Sequence, residues 1–188
     1  MDYVYHGSSL PNLKVIKPHK STHKKEWVYA TPSKALATIF LSKNGSDLNY
    51  SLGGNGLDRP IELVERKPGM FKKIFSCDGY IYKLPAKTFM SGLTSWSGEV
   101  VSTEEVPVVS CEYIENVYDE LLRLKEEHKI NLYLYPNRPL DIPLDNSDLI
   151  PKVRSWEQSG SDISNFFSLY PELKEAYYAS KDQPKIKR

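Results

Sequence analysis

The chain has 188 residues, the length of one domain and enough to bury a core without disulfide or metal staples. A formal net charge of +1 supplies no field to hold a nucleic-acid backbone or an anionic membrane, which leaves only local patches for such partners. No run approaches the roughly 18 apolar residues of a membrane span, and the start MDYVYHGSS lacks the basic and apolar regions of a signal peptide.

Strand signals come first along the chain. Residues 2–6, 26–30 (EWVYA), 61–66 (IELVER), 79–84 (GYIYKL), 99–102 (EVVS) and 106–115 (VPVVSCEYIE) are short, β-branched or aromatic, and bounded by Gly, Pro, Ser or Asn. Between the second and third lies PSKALATIFLSK, which predicts a helix with Thr31 as cap, Pro32 at its first position and Ala35, Leu36, Ile39 and Phe40 on one face. The stretch 44–56 (NGSDLNYSLGGNG) reads as a mobile loop. After Asn116, VYDELLRLKEEHK is an amphipathic helix with Val117, Leu121 and Leu124 inward. INLYLY (130–135) predicts one more strand, and PNRPLDIPLDN an extended proline-rich connection. Helices are expected over 146–157 and 161–179, the second capped by Ser161 or Asp162, followed by a frayed basic tail, KDQPKIKR. Most links are too short for parallel crossovers, so the expected fold class is α+β with an antiparallel core. The expected organisation is a domain over 1–135, with residues 136–188 forming a connection and a helical appendix packed on it.

Three stretches carry chemistry, and each has a plain alternative. In YHGSS, His6 at a strand end can offer a ring nitrogen to a ligand hydroxyl, with Gly7 letting the ligand lie flush against the backbone; it also reads as a structural histidine beside a turn. In WVYATPSKALA, Tyr29 is either a flat wall for a heterocycle or a core tyrosine. In WSGEVVSTEEV, Glu99 either meets sugar hydroxyls and a developing cation or is a solvated turn residue, with Glu104 and Glu105 as competitors. His19 and His23 in HKSTHKK stand four apart without a helical pattern, so the run reads as a solvated loop rather than a metal pair. Its lysines, with Lys14 and Lys17, could meet an anion. Cys77 and Cys111 lack metal-ligand spacing and read as reduced thiols of a cytoplasmic protein, one disulfide being the alternative. No dinucleotide-binding or phosphate-loop glycine motif is present.

In this order the stretches YHGSS, VYATPSKALA and GEVVS resemble the ADP-ribosyltransferase superfamily, in its His-Tyr-Glu branch that includes the poly(ADP-ribose) polymerases and diphtheria-like toxins. The resemblance spans roughly residues 2–116. The chain also resembles a group of small bacterial proteins through ELVERKPGMFKKIF and GYIYKL. The resemblance implies a split antiparallel β-sheet core around a cleft. It also implies mono-ADP-ribosyl transfer from NAD, taken as substrate and without a metal, to an acceptor it does not name: protein, nucleic acid or small molecule. His6, Tyr29 and Glu99 would form the catalytic set. His6 would bond the nicotinamide ribose, and Gly7, with Ser8 beside it, would hold the carboxamide. Tyr29 would stack on the ring, and Glu99 would bind the 2′-hydroxyl and stabilise the oxocarbenium-like transition state. The second serine of the family's Ser-Lys-Ser pattern is Ala35 here, which loses that carboxamide contact or moves it to Ser33. Phe40 is the candidate for a second aromatic wall. Two other expectations share the fold: a non-catalytic NAD-binding domain, and an RNA 2′-phosphotransferase-like enzyme.

Overall fold

Twelve strands and six helices make up the described part of the computed structural model, residues 2–20, 25–42, 48–94 and 96–181. The expectations for His23, for residues 44–47 and for residues 182–188 fall outside it. In chain order the first elements are β1 (Tyr3–Ser8), β2 (Val15–Ile16), β3 (His19–Lys20), β4 (Glu26–Ala30), α1 (Lys34–Ile39), β5 (Tyr50–Gly53), β6 (Ile61–Glu65) and α2 (Met70–Phe75). There follow β7 (Gly79–Pro85), β8 (Met90–Ser91), β9 (Val100–Ser102), β10 (Val106–Pro107), β11 (Ser110–Ile114), α3 (Val117–Glu126) and β12 (Ile130–Tyr133). The last described elements are α4 (Leu149–Gln158), α5 (Ser164–Leu169) and α6 (Lys174–Lys181).

The molecule is mixed α+β with several antiparallel sheets. One sheet has the order β1-β7-β11, a second β3-β4-β9-β8, and a third β12-β6-β5, in which the β12–β6 pair is parallel. Among the described residues the first two sheets meet at one bridge, where Tyr5 and Thr31 exchange backbone hydrogen bonds of 2.8 and 2.9 Å. Strand alternation then sorts the side chains into two cores. From β7, Tyr82 and Leu84 join Val4, Val28 and Val100 between the two sheets, while Ile81 faces the other way, into a core with Leu36, Phe71, Leu121 and Ile61. Each such side chain, fully buried, contributes about 1.5–3 kcal/mol. The helix α1 lies so close to β1 that a Cβ on Gly7 would stand 2.5 Å from the carbonyl oxygen of Ala37.

Four expectations need correction. The cap of α1 is Ser33, not Thr31: its side chain accepts from the Leu36 N–H, so the helix starts beyond Pro32. Part of the expected loop is β5, because Tyr50 is buried against Phe71 and Phe75 and the strand pairs with β6 from Tyr50↔Glu65 to Gly53↔Glu62. The helix α2, with Gly69 at φ 71° before it, occupies a stretch for which no helix was expected. The last expected helix is broken at Pro171, which has no N–H to donate, into α5, a 3-10 turn and α6.

Among the described residues after 135, several make polar contacts at the end of β6. Arg66 of the β6 end, almost fully buried, is paired with Asp148 at 2.7 Å, and Arg138 donates to the carbonyls of Arg66 (3.2 Å) and Pro143 (2.7 Å). Phe166, Tyr170, Leu173 and Tyr177 form a further core with Val153 and Leu48. Burial pushes the Tyr170 phenol up to about 12, so it stays a donor, and it donates to the Leu48 carbonyl.

Candidate functional site

The site starts from the Tyr5–Thr31 bridge between the sheets. Beyond Tyr5, β1 carries His6 past the end of β4, and the ring Nδ1 donates to the Tyr29 carbonyl at 2.7 Å. That bond fixes the tautomer: in the neutral imidazole Nδ1 holds the proton and Nε2 is left as an acceptor. Burial holds the His6 pKa below the ordinary histidine value; the Tyr29 carbonyl opposes the shift and nearby His19 adds to it.

Register places the carboxylate. Tyr29 pairs with Val101 and Ala30 with Val100. Side chains directly opposite share a face and alternate along the strand, so Glu99, two residues before Val101, falls on the face of Tyr29. A turn delivers it there, with the Glu99 N–H donating to the Trp96 carbonyl at 3.2 Å. Gly98 allows the turn to close, since a Cβ on it would lie 2.9 Å from the Trp96 ring. The Tyr29 phenol is raised above its ordinary pKa by burial and by the charge of Glu99.

These residues enclose a cavity of about 160 Å³ lined by Tyr5, His6, Gly7, His19, Tyr29, Ala30, Phe40 and Glu99. A cavity of about 150 Å³ admits one six-membered ring. Tyr29 is wedged between Trp27, edge-on with centroids 6.0 Å apart, and His19, also at 6.0 Å. Phe40, 43% exposed and so not a core residue, stands edge-on to Trp96 at 5.6 Å. A larger cleft of about 1030 Å³ adjoins, sharing His6, Gly7, His19 and Phe40 and walled further by Ser8, Leu10, Leu13, Lys17, Cys77 and Asp78. Its outer wall is held by Tyr82, whose hydroxyl donates to the Leu10 carbonyl at 2.6 Å and accepts from the Leu13 N–H at 3.3 Å.

The structure thus brings His6, Gly7, Tyr29, Phe40 and Glu99 to one cavity and Ser8 to the cleft beside it, where the Ser8 hydroxyl accepts from the Leu10 N–H at 3.1 Å. Ser33 lies elsewhere, capping α1 and lining neither space. Glu104 sits in a turn bonded by the Ser102 hydroxyl, and Glu105 pairs with Lys17 at 3.4 Å; neither lines the cavity. His19, expected in a solvated loop, is exposed but lies on β3 and lines both spaces. Among the described residues, no group of three His, Cys, Asp or Glu side chains is placed to hold a metal ion, and no helix is long and apolar enough to cross a membrane. No family model, curated protein or solved structure matches the chain.

Proposed function

We propose that the protein is an NAD-dependent mono-ADP-ribosyltransferase. The observation that carries this is the convergence of His6, Tyr29 and Glu99, distant in sequence, on one ring-sized cavity. In this reading the nicotinamide ring enters the small cavity against Tyr29, and the rest of the dinucleotide lies along the larger cleft. His6 Nε2 accepts a hydrogen bond from a ribose hydroxyl. Breaking the C1′–N1 bond sends its electron pair to the pyridine nitrogen and spreads positive charge over C1′ and the ring oxygen. A carboxylate at Glu99 stabilises that charge more than it stabilises bound NAD, which is the condition for acceleration. The nicotinamide leaves as a neutral molecule, so the leaving group needs no proton.

The test is released nicotinamide, measured by chromatography after the full chain is incubated with NAD, beside Glu99→Gln. Turnover lost in the variant with NAD binding kept supports the transferase. NAD binding without turnover in the unmutated chain across several acceptors favours a non-catalytic NAD-binding domain.

A further inference from the structure

His6, Gly7, His19 and Phe40 are the residues shared by the ring cavity and the larger cleft. If nicotinamide fills the first and the ribose begins the second, the bond that breaks lies at this junction. Of these four only the two histidines can carry a proton, and His6 already commits Nδ1 to the Tyr29 carbonyl. The His19 ring nitrogens have no hydrogen-bond partner among the described residues. Other titratable groups on the cleft wall are engaged: Lys17 with Glu105, Asp78 with the Tyr113 hydroxyl at 3.1 Å, and the Cys77 thiol with the Leu41 carbonyl at 3.2 Å. His19 is exposed to solvent, its ring stands 6.0 Å from the Tyr29 ring, and in β3 it pairs with Trp27 of β4.

We propose that His19 is the general base of the transfer step, and that the acceptor is a neutral hydroxyl rather than a carboxylate. This rests on the NAD reading above. A carboxylate reaches C1′ already deprotonated and needs no base. A hydroxyl must lose its proton as the O–C1′ bond forms. The balance is simple: the C1′–N1 pair goes to nicotinamide, an oxygen lone pair forms the bond to C1′, the hydroxyl proton passes to an imidazole nitrogen of His19, and water then removes it.

A nucleophile that carries no proton separates this role from a structural one. The full chain, His19→Gln, His19→Asn and Glu99→Gln are each given NAD with methanol or with sodium azide, and the methyl and azido adducts of ADP-ribose are measured by mass spectrometry. Both His19 variants should lose the methyl adduct by on the order of a hundredfold while the azido adduct stays within about twofold of the unmutated chain. The retained azido adduct also shows that the variant is folded. Glu99→Gln should lower both adducts. Equal loss of both adducts in the His19 variants, or loss of neither, overturns the base and leaves the NAD reading standing. If the unmutated chain forms neither adduct and releases no nicotinamide, both proposals fall.

Discussion

The ring cavity and the larger cleft share a wall but are built from different material. The first takes Tyr29, His6 and Glu99 from strand positions or the residue next to one, so its geometry follows from register and from a 2.7 Å bond between a ring and a carbonyl. The second is walled largely by the turns after β1, α1 and α2, tied back by one buried tyrosine hydroxyl. A site locked by sheet pairing is suited to stabilising a transition state, which requires groups already in place. A cleft made of turns is suited to holding the remainder of a long substrate, where small adjustments cost little. Chemistry and binding should therefore respond separately to substitution.

The largest expected effect is Glu99→Gln, which keeps the size of the side chain and removes its charge. Nicotinamide release should fall on the order of a hundredfold or more, while calorimetric NAD affinity changes far less. Equal losses in both would erase the distinction between the two spaces. Next comes the shared wall. In Gly7→Ala the new methyl must displace α1 from its 2.5 Å approach, and thermal and chemical denaturation should show a loss of about 1–3 kcal/mol; unchanged stability would mean that α1 moves freely. Tyr82→Phe acts on the cleft alone. Losing the hydroxyl's two bonds to the Leu10–Leu13 turn should cost about 1 kcal/mol of stability. It should also weaken NAD binding with kcat preserved, and a fall in kcat at constant affinity would contradict that assignment. The smallest effect is on pH. The folded pKa of His6 lies below its unfolded value of 6.5, so between the two the unfolded chain binds more protons. The stabilisation is complete above about pH 6.5 and is lost as pH falls toward the folded value. Asp58, Asp145 and Asp162, held below 3.8 by local hydrogen bonds, lose theirs only at lower pH. Urea denaturation at pH 7.5 and 5.5 should show a decline that His6→Gln reduces; an identical decline in both proteins would remove His6 as its source.

The strand positions of His6 and Tyr29 were legible because short β-branched and aromatic runs end in turn residues there. Glu99 was legible because a Ser-Gly turn precedes its strand. The rest depended on partners that local sequence does not encode. β5 looks like a polar loop until β6 lies beside it and Tyr50 finds Phe75. His19 is exposed, as a solvated run would have it, but β3 has only two residues, so its pairing with β4 at the junction was not legible. Ser33 matched a binding motif, yet its hydroxyl serves the Leu36 N–H. Two candidates with opposite demands on one hydroxyl are told apart only by the helix start.

The indoles stand in useful places. Trp96 touches Phe40 and Trp27 touches Tyr29, two residues that line the ring cavity, whereas Trp156 packs against the separate core of the C-terminal helices. The protein therefore carries two intrinsic fluorophores next to residues of the ring cavity and a third that serves as an internal reference. Entry of a charged pyridinium, an electron acceptor, should quench the first two and spare the third, so that occupancy can be followed in real time without a label.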